Sequence, residues 1–497
     1  MAQLPNEIYR QILSPLDLGT IRACRLAGRA INQAATELVF RRVTLQFELL
    51  PTQNARSGPN FVKIATAAHL RPLVREVTIV TTVTSAAHEY ARTVCETSDV
   101  PMPQMAPSFL YALPFLKAFT GLKSVEVVFT ATHHPLAGLV LGTCLRCIAG
   151  EWDTSRQVGL QTELLQILPR KAESFITEWP SLVTASQTDP MEVTALKITD
   201  LPVSMRLAVS EMLLSCKSLK QLHLQLAYSK FETAFHNLPR QLGDRFDYIE
   251  NLPKTWLLPD IANHLRVLSL SYEEYWGWAP KMDFRTVNPG VGLPNLRVLS
   301  LGCYVFSYKW QVEWIASLGR QNGRGGLEEL YLKDCPIMWE AKVHSSLDES
   351  VTELPTPNGG VIGISNEGYP TDQSLQLPDD LSDLIEVSFP LRWSYVFDRW
   401  AKTMPSSLVS FAMGTEPFGE GLHEEWQGLP ANTPGLLQYV HFNIGLDPEP
   451  WIEQDDRRRM IMEDDGFNKY SAARQSDYDS YDNFREAIRS SAATDMA

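Results

Sequence analysis

Two hydrophobic periods run along this chain, and they change over between residues 45 and 74. Up to residue 45 the apolar positions recur at helical spacing. Leu4, Ile8 and Ile12 fall four apart, Pro5 suits a first helical position, and Glu7 sits in the first turn, where the helix dipole favours an anion. Asp17 or Thr20 can cap a second helix carrying Ile21 and Cys24, and Ile31, Ala34, Ala35, Leu38 and Val39 follow the i, i+3, i+4, i+7, i+8 rule for a third. Three short helices of about forty residues in all bury too little surface to be stable alone. Their apolar stripes are therefore expected to pack partly on the rest of the chain and partly on a partner protein.

From residue 74 the period shortens to that of a strand. The pattern apolar-x-x-apolar-x-apolar returns as VREVTI (74), LKSVEV (122), VTALKI (193), LKQLHL (219), LRVLSL (265), LRVLSL (296), LEELYL (327), LIEVSF (384), LVSFAM (408) and LQYVHF (437). The fourth and sixth residues of each unit alternate with a polar one, as a half-buried strand requires, and the first closes the preceding turn. Several neighbours start 26, 31, 31, 24 and 29 residues apart, which fits one strand plus one helix or loop per repeat. Residues 203–214 and 310–318 are helical candidates between strands, with Trp310, Trp314 and Leu318 on one face. The expected fold class is α/β: an N-terminal three-helix module (1–45), then an irregular leucine-rich-repeat solenoid (46–450) with a parallel sheet on its concave face and helices outside. Residues 344–380, rich in Gly, Pro and small polar residues, read as a loop excursion. Residues 451–497 read as a charged, partly disordered tail, helical near 453–464 and then mobile.

The N-terminal segment resembles the F-box, whose pattern begins Leu-Pro-x-Glu-Ile, continues through Leu-Asp to Leu-x-x-Leu and ends in Leu-Phe-Arg. Leu4, Pro5, Glu7, Ile8, Ile12, Leu16, Asp17, Ile21, Arg29, Asn32, Leu38, Phe40 and Arg41 fall on family positions without a gap. Ala27 stands where Val is usual and Ile31 where an aromatic is usual, and both keep the position apolar. The resemblance implies docking on the Skp adaptor of a cullin-based ubiquitin ligase, with Leu4, Pro5, Ile8, Ile12, Leu16, Ile21 and Cys24 as adaptor-binding candidates. Together with VREVTI and with FSYKWQVEWIASL followed by LEELYLKDCPI, it resembles the filamentous-fungal F-box proteins with degenerate leucine-rich repeats. The plainer reading of residues 4–45 is an ordinary helical bundle of the main domain.

Composition narrows the partners. Over 497 residues, 44% hydrophobic and 21% charged describe a globular chain, and 58 acidic against 44 basic residues give a net charge of −14. That charge disfavours nucleic acid and anionic membranes as partners. No apolar run reaches membrane-spanning length, and Met-Ala-Gln-Leu-Pro opens without a leader pattern, so a cytoplasmic or nuclear location is expected. Seven scattered cysteines argue for reduced thiols, and the lone Cys144-x-x-Cys147 is weak as a metal site, so none is expected. There is no GxSxG, P-loop, HExxH or dinucleotide fingerprint, and the His133–His134 pair has no nearby carboxylate to orient it. Neither catalytic residue nor cofactor is expected, and the chain is not expected to be an enzyme.

What remains is recognition. The polar strand positions Glu76, Glu126, Lys197, His223, Ser269, Ser300, Tyr331, Glu386 and His441 are expected on the concave face, with Glu329 and Lys333 beside Tyr331. Tyr272, Tyr275, Trp276 and Trp278 follow the unit at 265 and suit interface anchors, though they equally suit packing. Target-binding candidates are thus Tyr272, Tyr275, Trp276, Trp278, Glu329, Tyr331 and Lys333. The expected function is substrate recognition in a Skp-cullin-F-box ubiquitin ligase, the partners being the Skp adaptor, through it a cullin, and a target protein. The alternative is a non-ligase scaffold on the same architecture.

Overall fold

The structure is a computed structural model that describes residues 4–47, 57–81, 107–129, 134–153, 155–156, 189–203, 209–227, 246–321, 324–371, 374–375, 384–414, 437–443, 449–450, 453–454, 460–461 and 466–495. The chain forms two compact units, Met1–Leu219 and Lys220–Ala497. Both are α/β, and each is built on parallel strands.

The first unit opens with helices α1 (Asn6–Leu13), α2 (Leu18–Cys24) and α3 (Arg29–Arg41). Pro5 is the N-cap of α1, one residue before the position its sequence suggests. Asp17 caps α2 by accepting the Thr20 amide at 3.0 Å. Leu13, Ile21, Ala34 and Ala35 form a small buried cluster, with Tyr9, Cys24, Ile31, Leu38 and Val39 packed against it. Glu37 receives Arg10 and Asn6, tying α3 to α1.

The helices do not stand apart from the sheet. Strand β1 (Arg42–Gln46) follows α3 without a break and pairs in parallel with β2 (Glu76–Val80). Glu76 then receives Arg41 at 3.3 Å and Arg42 at 2.8 Å. Strand β1 was not expected, although Phe40-Arg41-Arg42-Val43-Thr44-Leu45 carries the same apolar-x-x-apolar-x-apolar pattern: its first two residues also complete the apolar stripe and C-terminal end of α3, so the helical period masks the start of the strand period. β3 (Ser124–Val128) and β4 (Ala195–Pro202) continue the parallel order. This unit also holds helices α4 (Ser57–Thr66), α5 (Pro107–Ala112), α6 (His134–Ile148) and α7 (Val209–Leu213), with 3-10 turns at Arg71–Leu73 and Leu113–Ala118.

The second unit repeats the arrangement with parallel strands β5 (Gln221–Ala227), β6 (Val267–Trp276), β7 (Val298–Tyr304) and β8 (Glu329–Lys333), and with Ser410–Gly414 beyond β8. The repeat is in the backbone as well as the side chains. The second motif residue donates its amide to the carbonyl of the second residue one repeat back, from Lys123 to Arg75, Thr194 to Lys123, Arg266 to Lys220, Arg297 to Arg266, Glu328 to Arg297 and Val409 to Glu328, at 2.7–2.8 Å. Leu268, Leu299, Leu330 and Phe411 share one row, and Leu270, Leu301, Leu332 and Met413 the next. All eight but Phe411 are buried. Asp200, Cys303 and Asp334, each two residues past the second buried strand position, all adopt a positive φ of 48–58°.

Helix α8 (Lys309–Ser317) packs between β7 and β8 by burying Gln311, Val312, Ile315 and Ala316. Gln311 is satisfied although buried: its side-chain oxygen accepts the amides of Ser307 and Tyr308, and its amide nitrogen donates to Tyr304 Oη at 2.8 Å. Gly319 ends the helix at φ +67°, where a Cβ would lie 2.1 Å from Leu296 O.

Three expectations need correction. The units at 384 and 437 leave the ladder. They are β12 (Ile385–Ser388), antiparallel to β9 (Ile337–Val343), and β14 (Tyr439–Asn443), parallel to it. Glu386 and His441 are therefore outside the main sheet. The excursion holds a hairpin, β10 (Val351–Pro355) with β11 (Val361–Ser365), whose base is fixed where Asn366 donates to Ser350 and Thr352 and accepts Lys281. Residues 372–373 and 376–380 of it lie outside the described residues. The tail carries a long helix where a mobile segment was expected, α10 (Gly466–Asp495), and residues 453–454 and 460–461 pair as short antiparallel strands in place of the expected helix; residues 451–452, 455–459, 462–465 and 496–497 lie outside the described residues. With α9 (Trp393–Thr403) and strand β13 (Ser410–Gly414), α10 builds an aromatic cluster of Phe397, Trp400, Phe411, Tyr481 and Phe484. Asp477 anchors it, accepting the Ser394 amide at 2.7 Å and the Tyr439 hydroxyl at 2.5 Å. Helices α1–α3 and the strands through β4 fall in the same compact unit.

Candidate protein-docking surfaces

Helix α1 sorts its apolar residues onto two faces. Leu13 and Tyr9 turn inward to α3, while Leu4 (49% exposed), Ile8, Ile12 (54%) and Leu16 remain in solvent. Pro5 is exposed beside them. Ile8 and Ile12 share one side of α1 because four-residue spacing returns the second almost to the azimuth of the first, and Leu4 and Leu16 flank the two ends of the helix. Among the described residues, six of the twelve exposed large hydrophobics fall between positions 4 and 26: Leu4, Ile8, Ile12, Leu16, Leu18 and Leu26. Such a concentration makes residues 4–26 the candidate docking surface, since scattered single apolar residues are the usual surface state.

Two of the seven sequence candidates are not presented. Ile21 is 7% exposed and belongs to the three-helix core, and Cys24 is half-buried against that core. Both sit on the side of α2 that meets α3, so they hold the module together instead of offering contact. Conversely, Leu18 and Leu26 were missed. Leu26 is 91% exposed in the turn between α2 and α3, where helical periodicity has ended and gives no signal.

The second set of candidates fares differently. Trp276 and Trp278 carry no exposed surface, and Tyr272 and Tyr331 are buried. Trp276 donates to Gly302 O at 2.7 Å and packs edge-on against Tyr304, and Trp278 donates to Gly368 O and meets Phe389 and Phe442. Gly277, at φ +108°, lies so close to Tyr304 that a Cβ would approach the ring to 2.6 Å. These aromatics are core, not anchors. Tyr275 is half-buried and donates to Asp334 at 3.1 Å; burial, with Asp334 beside it, pushes its pKa up, and burial raises that of Asp334. Glu329 and Lys333 stay half-exposed on the outer side of β8, with Tyr331 donating to Glu329 at 2.7 Å.

The outer side of the first unit's sheet carries a cross-strand row of Thr44, Thr78, Glu126 and Lys197 in register. Glu126 receives Lys197 at 2.7 Å and Thr78 at 3.2 Å. In the second unit the equivalent row is His223, Ser269, Ser300, Tyr331 and Ala412. Strands whose inner side is leucine thus present an outer side of mostly polar residues, with area and hydrogen-bonding groups.

The second unit also holds an open pocket of about 390 Å³ lined by Phe284, Leu293, Trp314, Ile362 and Ile364 among others. Its described lining includes two arginines and no carboxylate, histidine or cysteine. Cys144 and Cys147 are fully buried; burial pushes the Cys147 thiol up to about 12 and Cys144 well above its ordinary value, so both stay protonated and unreactive. Among the described residues no three His, Cys, Asp or Glu side chains come together as metal ligands, and no helix is long and apolar enough to cross a membrane. Comparison with protein-family models and with curated proteins finds no match for this chain.

Proposed function

We propose that this chain is the substrate receptor of a Skp-cullin-F-box ubiquitin ligase. In this reading α1–α3 are an F-box that docks the Skp adaptor and, through it, a cullin. The parallel-strand repeats are a degenerate leucine-rich-repeat solenoid that holds a target protein. The observation that carries the reading is the exposed apolar side of α1, with Leu4, Ile8, Ile12 and Leu16 in solvent while Leu13 and Ile21 close the interior. A receptor of this kind needs no catalytic residue or cofactor. It acts by tethering a lysine-bearing target near a charged conjugating enzyme, which raises the effective concentration of the reactants. The ligase assembly would place it in the cytoplasm or nucleus. Target contact falls to the polar strand faces, including Glu329 and Lys333, now that the Trp276 and Trp278 side chains are interior.

The test is co-purification of the full chain with a Skp adaptor and a cullin. Replacing Ile8 and Ile12 together by Ala should reduce adaptor recovery at least about tenfold, because both are exposed contact residues of the kind that dominate interfaces, while thermal stability stays within about 2 °C of the parent. Recovery of adaptor at parental yield from a folded double variant would remove the reading. Recovery of adaptor without cullin would favour a scaffold outside the ligase.

A further inference from the structure

The charge of the N-terminal module opposes that of the chain. Residues 4–46 hold Arg10, Arg22, Arg25, Arg29, Arg41 and Arg42 against Glu7, Asp17 and Glu37, whereas the whole chain is acidic at −14. The structure sorts these arginines into two groups. Arg10 is paired with Glu37, and Arg41 and Arg42 share Glu76. Arg22, Arg25 and Arg29 have no carboxylate partner among the described residues; Arg25 lies over the Phe40 ring at 5.5 Å, and Arg22 and Arg29 are exposed. All three surround the α2–α3 turn, whose Leu26 is the most exposed of the described large hydrophobics.

Three guanidinium groups within eight residues repel one another; the Phe40 ring accounts for Arg25, but among the described residues no carboxylate offsets the charge of exposed Arg22 and Arg29. Arginine is also the basic residue best suited to planar, two-pronged contact with carboxylates. We infer that the α2–α3 corner is an electrostatic contact for an acidic surface of the adaptor, with Leu26 inserted between the carboxylates that face Arg22, Arg25 and Arg29. This rests on the adaptor-docking reading and deepens it. The α1 stripe supplies apolar area, and the corner supplies orientation and speed of encounter. The rest of the molecule carries excess negative charge and would repel an acidic partner, so a local basic corner steers that partner to the one end where it docks.

The experiment measures association and dissociation of the full chain with purified Skp adaptor across a salt series. Steering predicts that the parental association rate falls about tenfold as salt rises from low to high ionic strength, because exposed charges are screened within a Debye length. Arg22→Glu with Arg29→Glu should lower the low-salt association rate by a similar factor and flatten its salt dependence, with the dissociation rate changed less than about threefold. Leu26→Ser should act the other way, mainly accelerating dissociation. The inference is overturned if the double charge reversal, folded by thermal melt, keeps the parental association rate and salt dependence while the Ile8, Ile12 double variant has lost binding: the docking reading then stands and the corner is no part of it. If the parental chain fails to bind adaptor at every salt concentration, the docking reading falls and the corner assignment with it.

Discussion

Trp276 is a measure of how a side chain's surroundings overrule its type. Its indole is wholly enclosed, bonded to Gly302 O and edge-packed on Tyr304 and Phe284. Trp276→Ala should therefore cost about 3–5 kcal/mol, the range for removing a buried aromatic, read as a lowered denaturant midpoint. The sequence could not assign its direction, because the strand alternation that orients Leu268 and Leu270 breaks in the register shift between Ser271 and Trp276. Past that break, period-two reasoning no longer says which face a residue takes. Asp17 is a simpler case, and its capping role was readable from residue type and position. The Thr20 hydroxyl and then its amide hold the Asp17 carboxyl below the ordinary carboxylate value. A depressed pKa means that the cap stabilises fully above the unfolded-state value and is lost as pH falls through the folded one. Amide exchange at Thr20 should be faster in Asp17→Ala than in the parent at neutral pH, and the difference should shrink and then disappear as acid protonates the carboxyl, at a pH below the ordinary aspartate range. A difference that persists in acid would assign the protection to something other than the carboxylate.

At the scale of elements, motif strength tracked the strands well and their partners poorly. The leucine rows of β6, β7 and β8 lie in register as their identical spacing suggests. The units at 384 and 437 share the alternation yet pair with β9, because alternation reports a half-buried strand and says nothing of which edge it joins. Helix α10 was hidden for a different reason. A helix lying on one surface needs only a narrow apolar stripe, here Tyr481, Phe484 and Ile488 at spacings of three and four, and its charged remainder lowers the average to that of a solvated tail. Phe484 is enclosed by Phe397, Trp400 and Phe411. Phe484→Ala should accordingly destabilise the protein by about 3–5 kcal/mol. A stability change below about 1 kcal/mol, the usual size for a surface substitution, would return the segment to a peripheral role.

For the whole molecule, the buried leucine rows and the polar residues proposed to meet a target fall on opposite sides of the same strands. The inner side repeats leucine because each repeat must bury its row against its neighbours, whereas the outer side carries residues as different as Thr78, Lys197, His223 and Tyr331. This division was legible in the alternation itself. Which outer residues stay accessible was not, since Tyr331 and Ser300 occupy polar strand positions and are nevertheless buried. The proposal that targets are held there competes with a specific alternative, the pocket beside Val291, Trp314 and Ile362. A photo-crosslinking residue can distinguish them, introduced at Lys333 on the strand face or at Val291, which is 43% exposed on the pocket rim. Recognition on the strand face predicts an adduct from position 333, and none from 291, with a protein whose ubiquitination falls when this chain is depleted. Lys333→Ala should reduce capture of that protein with stability changed by less than about 1 kcal/mol, as for a surface position. An adduct with such a protein from position 291 alone would transfer recognition to the pocket and leave the polar strand faces without that role.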